Sequence, residues 1–310
     1  MSLSSLNVKI QKAMNLTLDN NELRVTINTM GAEVTSILQR TDGKELIWHG
    51  DEKYWNGHGP VLFPACGGLW NGVYQWQGAT YAMPKHGLVR NMEWTPCEVS
   101  RKKAVLYITQ NTHTMEVYPF AFQLKLTYEL QGRSLGCFYE VTTQAHRMPF
   151  QLGGHPSVAL DMPDGADIVG YLQPLNEEMQ PIESQGLSVV RVGHQGCWRP
   201  ERHQVPVNER GLIEVSKATF EHEALIFDHS QLGGMEVLDI EGKVVASVKS
   251  KAPVFLVWQP QGLLSPFVCI EPWYGLCDRE GSSVNLDERP YTQFASANTP
   301  SKGLLYEIAF

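Results

Sequence analysis

Long helical stripes, basic clusters, paired cysteine spacings and membrane-length apolar runs are all missing from this chain of 310 residues. Charge is scarce: 19% of residues are Asp, Glu, Lys or Arg, below the ~25% of an average soluble domain. Coiled coils and disordered chains need many charges and few aromatics, so both are excluded. What charge there is leans negative, net −8, and Arg101-Lys102-Lys103 is the longest basic run. A phosphate backbone or an anionic bilayer therefore finds no electrostatic footprint, and neither nucleic acid nor membrane is an expected partner. The longest apolar stretches, such as Ala252 to Trp258, fall far short of the ~20 residues of a membrane span. Met1 to Met14 carries Lys9 and Lys12 without an apolar h-region, so no secretory signal is visible; about residues 1–20 read as a leader or peripheral segment. The six cysteines (Cys66, Cys97, Cys137, Cys197, Cys269, Cys277) are scattered with no C-x-x-C pair. That suits free buried thiols in a reducing compartment, and the expected location is cytoplasmic.

What is present is two-residue alternation. Leu23, Val25 and Ile27 alternate with polar neighbours, as do Phe122, Leu124, Leu126, Tyr128 and Leu130, giving each strand one apolar face. Val105 with Tyr107, and Tyr139 with Val141, suggest two more. Asp42-Gly43 and Glu241-Gly242 punctuate apolar runs as hairpin turns do, and Asn71-Gly72 and Gln77-Gly78 bracket a strand over Val73 to Trp76. Only Lys217 to Ile226 offers a short helix or turn, and Gly186 to Arg210 reads as a long irregular loop. Many short strands with Gly/Pro turns predict an all-β protein, a sandwich or barrel of mostly antiparallel sheet. No linker or repeat divides the chain, so residues 1–310 read as a single domain, monomeric or homodimeric.

Three segments break the strand-and-turn pattern and gather acid–base groups: Pro60 to Leu69 with Met83 to Arg90, Gln151 to Ser157, and Val268 to Gly275. His155 lies between Gly153-Gly154 and Pro156, where a regular strand is disfavoured. It either satisfies loop carbonyls or acts as a general acid or base, since imidazole titrates near neutrality. Glu271 follows the apolar run Phe267 to Ile270 and precedes Pro272, so a carboxyl emerges where a buried strand stops. Burial would disfavour its charge and make it a better base; a capping glutamate is the plainer alternative. Trp273 and Tyr274 beside it are core rings or a platform for a sugar's C–H face. His86 sits in a turn, and Arg90 four residues on either contacts a substrate oxygen or forms a surface ion pair.

Val61-Leu62-Phe63-Pro64, Met83-Pro84-Lys85-His86-Gly87-Leu88-Val89-Arg90, Gly153-Gly154-His155-Pro156 and Cys269-Ile270-Glu271-Pro272-Trp273, in this order, resemble the aldose 1-epimerase (galactose mutarotase-like) family, nearest its shorter bacterial branch. The likeness runs from about Leu23 to the C-terminus. It implies a large antiparallel β-sandwich, the galactose mutarotase-like supersandwich, that binds a free aldose such as galactose or glucose and interconverts its anomers by ring opening. It implies Glu271 as the base on the C1 hydroxyl and His155 as the acid on the ring oxygen. His86 would hydrogen-bond near the same oxygen, with Arg90 and Trp273 also at the substrate. No metal and no other cofactor is implied. The chain departs from the branch at Leu88, at Asn91, and at Gly67-Gly68-Leu69, where a Gly-Arg-Leu arginine that would approach the sugar is absent at Gly68. For the aspartate that binds a sugar hydroxyl in the galactose enzymes, Asp228 is the candidate. Competing readings are a non-catalytic sugar-binding protein, a hexose-6-phosphate epimerase needing a basic clamp, and a metal enzyme with His86, His155 and Glu271 as ligands. A glycosidase would need a second positioned carboxyl, and only Glu271 stands out.

Overall fold

The computed structural model describes residues 13–310, so residues 1–12 of the expected leader lie outside the described residues; beyond them Asn15–Asp19 is already a strand, paired antiparallel with Leu23–Asn28. Alternation becomes sheet wherever one face is buried. Phe122–Gln131 buries every second residue and pairs along its length with Ser134–Thr143, from Phe122↔Thr143 to Gln131↔Ser134. These two lie in a nine-stranded antiparallel sheet ordered Ile213–Ser216, Ile168–Leu175, Gly234–Leu238, Val244–Lys249, Ser301–Ala309, Ser134–Thr143, Phe122–Gln131, Lys103–Thr109 and Thr95–Val99. The Glu241-Gly242 turn joins two of them, as its sequence predicts, and Val73–Trp76 pairs with Ala79–Ala82 across Gln77-Gly78.

Against it packs a seven-stranded antiparallel sheet: Leu152–Gly153, Phe267–Tyr274, Val254–Trp258, Ala224–Phe227, Ser188–Arg191 and His203–Gln204 in order, with Ser157–Ala159 also on Phe267–Tyr274. Its central strands, Phe267–Tyr274, Val254–Trp258 and Ala224–Phe227, are buried on both faces, so they show no hydrophobic–polar alternation. Val268 and Ile270, with Phe255, Val257, Leu225 and Phe227, face the main core, which also holds Leu124, Leu126 and Tyr128 of the nine-stranded sheet. Trp273, with Val254, Leu256, Ala224 and Ile226, belongs to a second cluster on the opposite face, closed by Leu62, Cys66, Leu276 and Cys277.

Several local expectations are corrected. Gly186 to Arg210 is no continuous loop, because Ser188–Arg191 is a strand of the seven-stranded sheet with Val189 and Val190 buried; its apolar run is too short to show a period. Of Lys217 to Ile226, read as a short helix or turn, Lys217 to His222 is a turn, but the end belongs to the strand Ala224–Phe227, and the α-helix among the described residues is Thr112–Val117. Asn111 caps that helix by accepting from the Thr114 N–H, but one turn and a half carries no legible stripe. No helix among the described residues is long and apolar enough to cross a membrane.

Candidate active site

The three segments singled out by their motifs are laced together by backbone hydrogen bonds. Leu62 and Gly153 exchange N–H donors at 2.9 and 3.0 Å, Leu88 N–H donates to Phe63 O at 2.7 Å, and His86 N–H donates to Gly67 O at 3.0 Å. Gly87 makes the second contact possible: at φ 74° a Cβ there would lie 2.2 Å from Phe63 O. His86 itself holds a left-handed φ of 70°, a conformation that costs a non-glycine residue about 1–3 kcal/mol and recurs at functional sites.

Glu271 does not mark the end of its strand. Phe267–Tyr274 runs through it and through Pro272, and the neighbouring chain explains how. On one edge Ser157–Ala159 pairs with the first half of the strand and Leu152–Gly153 with its end. Ile270 N–H donates to Pro156 O, and the same edge next calls on residue 272, opposite the gap between the two short strands. A proline there forfeits no ladder bond. His155 occupies that gap, and its Nε2 reaches Glu271 Oε1 at 3.0 Å.

A cavity of about 170 Å³ opens over this pair, lined by Trp55, Lys85, His86, Arg90, His155, Glu223, Trp258, Glu271 and Trp273 among others. The polar atoms at its base are conspicuously unpartnered: both Glu271 carboxylate oxygens, His155 Nδ1 and Trp273 Nε1 lack a hydrogen bond although Glu271 is 1% exposed. Such groups cost about 1–3 kcal/mol each when left unmade, which favours a site built to receive a ligand. Burial drives the carboxyl pKa of Glu271 well above its ordinary value, opposed by Lys85, and burial with Arg90 nearby drives the His155 imidazole down. Both shifts have burial as their largest cause, and both disfavour the charged form of the group. His86 is also pushed well down, by burial and then by Lys85, so its ring is neutral. Its Nδ1 accepts from Gly67 N–H at 3.2 Å, which leaves the proton on Nε2 as a donor.

Five of the six site residues read from the sequence, Glu271, His155, His86, Arg90 and Trp273, line the cavity. Asp228 does not. It closes off its carboxylate with Arg202 Nη2 at 2.7 and 2.8 Å and with His229 Nδ1 at 2.8 Å. Glu223 reaches the cavity instead, from the turn before Ala224–Phe227, with φ 68° and its Oε1 3.1 Å from Lys85 Nζ. Its left-handed backbone, invisible in a Glu-His-Glu run, is the one signal that separates it. Trp55 and Trp258 were also missed. Trp55 stacks on His155 with ring centroids 5.0 Å apart and 29° between planes, and Trp258 meets the same ring edge-on at 5.8 Å. The absent arginine at Gly68 has a steric reason: a Cβ there would lie 2.1 Å from Gln195 O, and Gly68 N–H donates to Gly196 O. The 194–196 turn fills the space through which that side chain would pass.

The sequence profile of the aldose 1-epimerase family matches residues 14–275. The chromosomal and plasmid forms of protein LacX from Lactococcus lactis subsp. lactis are each 28% identical over 287 residues, spanning 89% of this chain and 93% of theirs. A galactose mutarotase-like protein from Lactobacillus casei superposes with a TM-score of 0.87 at 24% identity, over 96% of this chain and 99% of that one. A galactose mutarotase related enzyme from Lactobacillus acidophilus gives 0.85 at 25% identity, over 96% and 97%.

Proposed function

Because the chain belongs to the aldose 1-epimerase family, we propose that it is an isomerase interconverting the α and β anomers of a free aldose, with galactose and glucose the first substrates to test. The observation that carries this reading is the buried Glu271–His155 pair, 3.0 Å apart, unpartnered otherwise and facing a cavity sized for one small molecule.

Anomerisation requires one proton to leave the C1 hydroxyl and one to reach the ring oxygen, and both oxygens are bonded to the same carbon. A pair that shares one proton suits this task without a net change. Glu271 as carboxylate takes the O1 proton while the C1–O5 bond breaks and His155 as imidazolium protonates O5, which yields the open-chain aldehyde. Rotation about C1–C2 presents the other carbonyl face. On closure His155 takes the O5 proton back and Glu271 returns one to O1, so both groups are reset. His86 Nε2–H donates to the same oxygen region. Trp273 offers an aromatic face to the sugar, and Arg90 its guanidinium to a hydroxyl. Glu223 replaces Asp228 as the acceptor for a distal hydroxyl.

A 6-phosphate has weaker support, because Lys85 is engaged by Glu223 and no side chain fits at Gly68. Anomer exchange measured by NMR on a panel of aldoses tests the proposal. Wild type accelerates exchange for at least one sugar, and Glu271→Gln and His155→Ala each lose most of that rate. Sugar binding without acceleration by the wild type would make the protein a sugar-binding module instead.

A further inference from the structure

Cys269 is absorbed by none of the above. It stands two residues before Glu271 on the same strand, so both side chains project from one face of the sheet. Its thiol, the Glu271 carboxylate and a His155 ring nitrogen all lie within 4.8 Å of one another, and all three residues are more than nine-tenths buried. Ligands held 2.0–2.3 Å from a common tetrahedral zinc lie about 3.3–3.7 Å apart, so rotamer adjustments that close the longest separation by about 1 Å would bring the three donors to coordination distance.

We propose that His155, Cys269 and Glu271 form a binding site for a thiophilic divalent cation, of which zinc is the representative, and that occupation of this site switches the protein off. The donor set decides the class of ion. Thiolate and imidazole select zinc or cobalt, whereas magnesium and calcium require an oxygen cage. Two features of the surroundings favour retention. Trp55 covers one face of His155 and Trp258 abuts it, while Trp48 and Phe267 pack around Cys269. These aromatic groups shield the donors from bulk water. The cavity is the route of access, since His155 and Glu271 line it and the buried Cys269 is within 4.8 Å of both. Binding releases the thiol proton to solvent and ties up the carboxylate and imidazole that the proposed proton transfers need. Inhibition therefore rests on the reading of Glu271 and His155 as acid and base, but binding does not.

The test uses chelator-treated full-length protein and cobalt(II) alone as a spectroscopic probe. One equivalent of cobalt is expected to give a thiolate-to-metal charge-transfer band that is absent in Cys269→Ser and displaced by zinc. A band that persists in Cys269→Ser, or no band in the wild type, overturns the site. In anomer-exchange assays zinc is expected to inhibit reversibly, with chelator restoring the rate and magnesium having no effect. Cys269→Ser, normalised to its own metal-free rate, should need about tenfold more zinc or beyond, since even second-shell changes cost 10–100-fold in metal affinity. Zinc sensitivity unchanged in that variant also overturns the proposal. The cobalt band is read without any sugar, so it decides the metal site even if Glu271→Gln proves fully active and the proposed function fails.

Discussion

Two buried acid–base pairs sit within a few residues of each other, and they are built to opposite specifications. Asp278 and Arg289 are 2.8 Å apart and 1% and 0% exposed. Asp278 also accepts from Trp70 N–H at 3.0 Å, and Arg289 donates from Nη2 to Cys66 O and Leu276 O, with only its Nη1 left unpartnered. Glu271 and His155 are as deeply buried, yet their contact at 3.0 Å is unsupported on the carboxylate side by any hydrogen bond. The first pair faces protein and pins the chain segments behind the cavity; the second faces the cavity. Burial of charge is common to both, so burial alone does not identify a catalytic pair. What sets the proposed catalytic pair apart is a carboxylate with neither oxygen hydrogen-bonded that also lines a cavity, where a polar group left unsatisfied at such cost can meet something that binds.

The sharpest way to break this comparison is to neutralise one carboxylate of each pair. Glu271→Gln is expected to lower anomer exchange by about 10²- to 10⁴-fold with the fold retained, as read by NMR exchange and circular dichroism. An active Glu271→Gln would remove the distinction between the pairs. Asp278→Ala strands the Arg289 guanidinium and should cost about 3–5 kcal/mol of stability by urea titration, while exchange per folded molecule stays within severalfold. If it abolished exchange in molecules shown to be folded, the second pair would belong to the chemistry as well.

A subtler effect concerns the proton that Glu271 and His155 share in the proposed mechanism. The active form holds one proton, so the rate falls at low pH when a second binds and at high pH when none remains. Arg90 opposes protonation of both groups. Arg90→Met should therefore move both limbs of the pH–rate profile to higher pH, and a shift to lower pH would contradict the arrangement. The smallest effect is on stability. Glu271 has a folded pKa above its unfolded value, so its contribution to stability is full below about pH 4 and declines as pH rises towards the folded pKa. Glu271→Gln removes that loss and should raise the melting temperature more at pH 8 than at pH 5. An equal change at both would show that Glu271 ionises in the folded protein much as it does in the unfolded chain.

How much of this was legible differs between the two sheets. In the nine-stranded sheet, strands such as Phe122–Gln131 bury alternate residues, and alternation reads directly as structure. In the seven-stranded sheet both faces are covered, so Ser188–Arg191 vanished into an apparent loop and Phe267–Tyr274 seemed to stop at Glu271. Proline 272 misled for a local reason: it is a strand breaker unless the partner strand is interrupted opposite it, and that interruption is a tertiary fact. At the site, the motifs brought forward His86, Arg90, His155, Glu271 and Trp273. Asp228, named for its place after Leu225-Ile226-Phe227, lies off the cavity and Glu223 on it, because only the fold shows which carboxylate is already held by Arg202.

By itself the sequence determined the fold class and the family and brought forward the proposed acid–base pair, since turn residues, strand periodicity and the ordered motifs are local properties of the chain. Which acid and base meet at 3.0 Å, which tautomer His86 holds, why Gly68 carries no side chain and where Cys269 stands were decided by tertiary structure alone. Each of these depends on a contact between segments from 19 to more than 100 residues apart, which fixes distance and exclusion from water, and neither quantity is written in the order of residues.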